Sequence, residues 1–317
     1  NLMRPYPQRF LYLCLTIILS LLVGCQSQMP VFVTQSPGST NTPFQPVHPT
    51  ATLTPQPTHT PTNTPTPIPT DTPMPEPTET SSPEPTEEPD LPAEEVTAGE
   101  VTVPILLYHH ISETIDTQYN VHPDRFAEQI KWLHDHGYST ITIADVARLI
   151  LDGGELPERP VVLTFDDGYL DVYQNAYPIM QQYGFVGTFF IVGNTVDTNQ
   201  NLSTKKLTKL INSGWEIGSH SMSHIDLKQG NNWEYEILGS KDLLEGKLGV
   251  TIQTFAYPYG LADAAVIRYT IDAGYTSAVG LGSNVTHDQN TLYFLDRKEV
   301  KSWYDLDFFE DFMPWTD

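Results

Sequence analysis

Most of the 27 prolines fall before residue 93, interleaved with Thr, Ser and Glu. That bias removes the first third of the chain from any hydrophobic core. From about Thr34 to Glu100 the sequence reads as Thr-Pro repeats, as in Thr60-Pro61-Thr62-Asn63-Thr64-Pro65. Proline fixes φ and lacks a backbone donor, so extended polyproline II is the expected local state. Such a segment buries too little apolar surface to offset the entropy of ordering it. The expectation is a disordered stalk over residues 26–100, able to reach on the order of 200 Å if fully extended. One folded domain then occupies residues 101–317, roughly 215 residues and enough for a sizeable core.

The first 25 residues read as an export signal. Arg4 and Arg9 precede the apolar run Phe10 to Val23, and Gly24-Cys25 follows. A positive flank, a short apolar stretch and a small residue make a secretory leader, and the run is short for a spanning helix. Leu22-Val23-Gly24-Cys25 resembles the lipobox of bacterial lipoproteins, which implies a lipidated Cys25, a membrane anchor and an extracytoplasmic location. The alternative is an uncleaved helix. Cys14 and Cys25 are the two cysteines, so the domain has neither a disulfide nor a thiolate metal site. A net charge of -23 argues against nucleic acid as a partner. It suits a neutral or cationic polymer, or reflects the solubility of an acidic exported protein.

After Glu100 strand-like and helix-like segments alternate. Expected strands include Ile105–Tyr108, Val161–Phe165, Gly187–Val192, Glu216–Gly218, Thr254–Ala256, Thr276–Val279 and Leu292–Leu295. Expected helices include Asp124–Asp135, Leu170–Tyr183, Thr204–Asn212, Glu234–Leu248 and Ala262–Ala273. The pattern predicts an α/β fold with a parallel sheet, open or closed into a barrel, whose chemistry collects past the carboxyl ends of the strands.

Polar clusters fall at those ends. Val161 to Phe165 runs straight into Asp166-Asp167-Gly168. Adjacent side chains on extended backbone point apart, so both carboxylates serve one site only where the strand ends, and Gly168 permits the bend. Adjacent carboxylates also repel, so one is best neutralised by a cation while the other accepts a proton; a plain Asp-Gly turn is the bland reading. His220 and His224 follow a short strand at a spacing of four, which puts two imidazoles on one helical face for a shared metal. Two His and one carboxylate leave an open coordination position, as in catalytic zinc sites. Tyr257-Pro258-Tyr259-Gly260 is a stiff turn whose backbone N–H groups can face an oxyanion, or a packing turn. His109 and His110 close the first strand, as a general acid or as structural histidines.

Thr164-Phe165-Asp166-Asp167-Gly168, His220-x-x-x-His224 and the Tyr257-Pro258-Tyr259-Gly260 turn, in that order, resemble the polysaccharide deacetylases of the NodB-homology group, carbohydrate esterase family 4. The resemblance covers roughly residues 103–300. It implies a distorted (β/α) barrel that removes acetyl groups from an N-acetylated polysaccharide. Asp167, His220 and His224 would hold a divalent metal, zinc first. Asp166 would be the base that activates water, and the Tyr259 backbone N–H would face the oxyanion. Tyr108-His109-His110 looks like the branch that acts on poly-N-acetylglucosamine; chitin-like polymers and peptidoglycan are the other candidates. Two features depart from the pattern. Ala256-Tyr257 stands where many members have Arg, and Arg297 is the candidate replacement. The usual late His is absent from Leu295-Asp296-Arg297, leaving His109 as the candidate acid, ahead of His110 and His287. A surface polysaccharide-binding protein that lost turnover, and another metal amide hydrolase on the same barrel, are the rival expectations.

Overall fold

The computed structural model describes residues 93–315 apart from residue 231. The leader, Cys25 and the Thr/Pro segment up to residue 92 lie outside the described residues. The expected stalk boundary at residue 100 falls too late. Ala93–Val96 is a strand, paired antiparallel with Gly154–Pro157. Its sequence, Ala-Glu-Glu-Val, carries little strand propensity, and the ladder to its partner supplies what the side chains lack.

Eight short strands build the central sheet: β1 Ile105–Tyr108, β2 Ser139–Thr140, β3 Pro160–Phe165, β4 Thr188–Ile191, β5 Glu216–Ser219, β6 Thr254–Ala256, β7 Ser277–Val279 and β8 Lys298–Glu299. Their order is β7-β6-β5-β4-β3-β1-β8, all parallel, with β2 beside the start of β3. The sheet curls. Leu295 bridges Val279 beyond one edge, and four residues later Glu299 pairs with Leu107 at the other. The segment from Leu295 to Glu299 therefore touches both edges of the curled sheet, so the parallel sheet that the alternation predicts curls into a distorted α/β barrel.

Side chains of β1 and β3 alternate between two layers, as a period of two requires. Leu106, Tyr108, Leu163 and Phe165 pack outward with Phe126, Ile130, Val172 and Met180 from the helices, while Ile105, Val162, Phe190 and Val279 fill the inside. Each such side chain, once fully buried, contributes roughly 1.5–3 kcal/mol. The parity continues past the strand, so Val162, Thr164 and Asp166 share the inner side. A buried core strand thus delivers a carboxylate to the mouth of the barrel.

The helices are α1 Pro123–Asp135, α2 Ile143–Asp152, α3 Leu170–Gln181, α4 Thr204–Asn212, α5 Gly239–Leu248, α6 Ala264–Asp272 and α7 Leu306–Glu310. The capping box of Thr142 and Asp145 starts α2, which buries Ile143, Val146, Leu149 and Ile150 on one face and is a helix missing from the expected set. Its first turn closes the bottom of the barrel. The Ile143 N–H donates to Thr188 Oγ1 at 3.1 Å and the Ala144 N–H to Glu216 Oε2 at 3.1 Å, at the amino ends of β4 and β5.

Three expected elements change. Asp263 caps the N–H groups of Ala265 and Val266, so α6 begins at Ala264 instead of Ala262. Glu234–Leu238 is a π-helical turn leading into α5. The strand expected over Leu292–Leu295 is a turn held by Asp288, whose Oδ1 accepts from the N–H groups of Asn290 and Thr291 at 2.9 and 3.1 Å; Leu295 keeps its single bridge.

Candidate active site

The carboxyl ends of the strands open into a cleft of about 280 Å³ lined by Leu107, His109, Tyr119, Asp166, Asp167, His220, His224, Tyr259, Gly260, Leu281, Arg297 and Glu299. All seven expected site residues line it, although they come from five separate stretches of chain.

Asp166 is 2% exposed and Arg297 1% exposed. Arg297 Nη1 donates to Asp166 Oδ1 at 2.7 Å and Nη2 to Oδ2 at 2.8 Å, a two-pronged pair. The guanidinium is itself fixed by Thr164 Oγ1 at 3.2 Å and the Gly280 carbonyl at 3.1 Å, over the Phe190 ring. Burial pushes the Asp166 carboxyl up, but Arg297, then His220 and His109, carry it down to about 2. Asp166 is therefore ionised at neutral pH.

Asp167 turns the other way. It sits at φ 70 and Gly168 at φ 76, so the strand breaks within two residues. Asn201 Nδ2 donates to the Asp167 carbonyl at 3.0 Å, and the Leu202 N–H to the Gly168 carbonyl at 2.9 Å. The Tyr169 hydroxyl is pushed up to about 12 by burial and then by Asp167 beside it.

Asp167 Oδ1 lies 3.6 Å from His220 Nε2 and 3.6 Å from His224 Nε2. One ligand atom from each of the three residues falls within 4.8 Å of the others. His220 Nδ1 sits 2.8 Å from the Ala256 carbonyl. A carbonyl only accepts, so Nδ1 donates and the Nε2 lone pair faces the cleft, the usual orientation of a metal-ligating histidine. Burial, then His220, hold the His224 imidazole below its usual range, favouring the neutral form a ligand needs. Donor types, spacing and tautomer all fit a divalent cation.

His220 and His224 do not share a helix. The strand ends at Ser219, and the two rings converge because Ser221 (φ 61) and His224 (φ 57) are both left-handed. Among the described residues five non-glycine positions have positive φ: Asp167, Asp197, Ser221, His224 and Tyr259. Four of the five lie in the loops that form this cleft. A left-handed backbone at a non-glycine residue costs roughly 1–3 kcal/mol, and such strain tends to cluster at functional sites.

A family profile described as "Polysaccharide deacetylase" matches residues 153–278, from the end of α2 to β7. The folded domain is a polysaccharide deacetylase domain. A Bacillus subtilis (strain 168) protein provisionally named polysaccharide deacetylase YxkH is 29% identical over 67% of this chain and 76% of its own length. The poly-beta-1,6-N-acetyl-D-glucosamine N-deacetylase of Staphylococcus epidermidis is 30% identical over 47% of this chain, and the match spans 57% of that enzyme. Among solved structures, the Streptococcus pyogenes deacetylase PplD in complex with acetate aligns with a TM-score of 0.62 and 25% identity, over 67% of this chain and 98% of that one. The chain is thus a hydrolase of the polysaccharide deacetylase class, in which Asp167, His220 and His224 bring together a ligand set suited to a metal ion.

The three candidate acids of this deacetylase separate by position. His287 is buried and bonded to the Val103 carbonyl at 3.2 Å, ahead of β1 and away from the cleft. Burial holds its imidazole below the usual range. His110 faces Asp171 Oδ2 at 2.7 Å and stacks on Tyr169 at 3.8 Å, tying the first strand to α3. Only His109 lines the cleft, with Glu299 Oε1 3.8 Å from its Nδ1. Glu299, Tyr119 and Leu281 were not foreseen. Single residues outside any motif, Glu299 and Leu281 reach the cleft because β8 pairs with β1 and the loop after β7 packs against Gly260, while Tyr119 lies 5.2 Å from the His109 ring. Lys301 pairs with Glu299 and sits 4.1 Å over the Tyr119 ring, joining the two residues of that wall.

Proposed function

We propose that this deacetylase removes acetyl groups from an exported N-acetylglucosamine polysaccharide, using a divalent cation, zinc first, held by Asp167, His220 and His224. The convergence of those three ligand atoms beside the Asp166–Arg297 pair, on the floor of one cleft, carries the reading. A cation held there would polarise the acetyl carbonyl and lower the pKa of the attacking water, letting a carboxylate as weakly basic as Asp166 take its proton. Arg297 keeps Asp166 ionised and fixes both of its oxygens. Leu281 and the Tyr259 ring offer an apolar wall to the acetyl methyl. The Tyr259 backbone N–H, on a turn stiffened by Pro258, is the donor assigned to the developing oxyanion. When the C–N bond breaks, His109 supplies the proton that the leaving amine requires.

The name of the Staphylococcus relative and the opening Tyr108-His109-His110 together favour a β-1,6-linked poly-N-acetylglucosamine over chitin-like oligomers or peptidoglycan. Acetate release should be measured on all three, with and without chelator. The expected result is release from the β-1,6-linked oligomer, lost with chelator and restored by Zn2+. A protein that binds no metal and frees no acetate from any of them would be a binding module.

The same reading places the domain outside the cytoplasm on a lipidated Cys25, supported by Arg4, Arg9 and the apolar run that leads to Gly24-Cys25. Cells fed labelled palmitate should mark the wild-type protein and leave Cys25→Ala unlabelled and freed from the membrane fraction. Label persisting in Cys25→Ala would exclude lipidation at this residue.

A further inference from the structure

The loop from Ser221 to His224 must hold two left-handed residues in a row of four if His224 is to face Asp167. The structure shows what holds it. The Gly193 N–H donates to the Ser221 carbonyl at 3.0 Å and the Asn194 N–H to the Met222 carbonyl at 2.9 Å. Ser221 Oγ accepts the His224 N–H at 2.9 Å. Three further donors of the loop end on one residue. The Met222 N–H reaches the Glu236 carbonyl at 3.0 Å, and the Ser223 N–H reaches Glu236 Oε2 at 2.9 Å, while the Ser223 hydroxyl takes Oε1.

Glu236 is only 3% exposed. A carboxylate is rarely buried unless donors compensate it, and here both oxygens are accepting from the residue next to a candidate ligand. It lies on the π-helical turn Glu234–Leu238, a rare insertion that often marks a functional site. It lines no part of the cleft, so its influence must pass through Ser223.

We propose that Glu236 is the positioning residue of the cation site: its carboxylate clamps Ser223 and thereby holds His224 in the left-handed conformation that aims Nε2 at Asp167. This rests on the cation reading given under Proposed function. Outer residues that orient a ligand commonly change metal affinity by about 10- to 100-fold.

In Glu236→Gln the amide oxygen can still accept the Ser223 N–H, but the charge that draws both donors is lost and the Ser223 hydroxyl must turn to accept from the new NH2 group. Co2+ titration followed by its visible absorption reads the site without any turnover. Glu236→Gln should bind Co2+ about 10- to 100-fold more weakly, with an altered absorption band, while the metal-free protein melts close to wild type. Ser223→Ala, which removes the hydroxyl contact alone, should show a smaller loss. The double variant should be no weaker than Glu236→Gln, because both act through one contact.

If the wild-type protein binds no Co2+, the cation reading itself fails. If the wild type binds and Glu236→Gln binds equally well with the same spectrum, the positioning role is overturned. Should Glu236→Gln not fold, Ser223→Ala decides, and unchanged Co2+ affinity and spectrum there overturn the role.

Discussion

Asp166→Asn should reduce acetate release by roughly 10²- to 10⁴-fold, the range expected when a positioned general base is removed, while metal affinity stays within a few-fold of wild type. The carboxamide keeps the shape of the side chain but cannot take a proton from water. The ligand atoms of Asp167, His220 and His224 are untouched, and the turn that carries Asp167 is held from outside by Asn201 and Leu202. His220→Ala is the contrasting variant, expected to lose metal and turnover together. Single-turnover acetate release and equilibrium dialysis against Zn2+ separate the two effects. An Asp166→Asn protein that keeps more than a tenth of wild-type turnover would show that some other group accepts the proton.

Much of this site is legible in the sequence because it sits on short strands with strong local signals. Val161 to Phe165 is an apolar run that can only be buried, and Gly168 announces the bend after it, so Asp166 and Asp167 can be placed at a strand end without a structure. The histidine pair is legible as a ligand set but not as a geometry. A spacing of four suits a helix, and no glycine at 221 or 224 betrays the two left-handed residues that the loop adopts instead. Arg297 appears in the sequence only as a possible answer to a missing charge. Its partner is settled by the curl of the sheet, which brings the end of the chain from β7 across to β1. Glu236 and Glu299 were out of reach. Each is a glutamate outside any motif, which reads as a solvated face until tertiary packing buries Glu236 and sets Glu299 in the wall of the cleft. Ala93–Val96 escaped for the same reason, since its pairing with Gly154–Pro157 depends on a partner about sixty residues away.

Arg297→Ala should destabilise the domain by about 3–5 kcal/mol at neutral pH, because it strands a buried carboxylate without its partner. The sign of the pH dependence follows from the pair. Arg297 holds the Asp166 carboxyl at about 2, below its ordinary 3.8, so the stability it contributes is present above the ordinary value and lost as pH falls through the lowered one. Without Arg297, burial dominates, and the carboxyl gains its proton more readily than in the unfolded chain. The variant should then lose stability as pH rises from acid toward neutral, which urea unfolding between pH 3 and pH 7 would reveal. A buried ion pair is not in itself a gain over a well-packed apolar core. The double variant Asp166→Leu/Arg297→Met should therefore recover most of the lost stability, packing against Phe190 and Thr164, and still release no acetate. Recovery of stability without activity would show that the pair is kept for the chemistry of the cleft. If Arg297→Ala unfolds at the same urea concentration as wild type across that pH range, the ion pair does not hold Asp166 ionised in the folded protein.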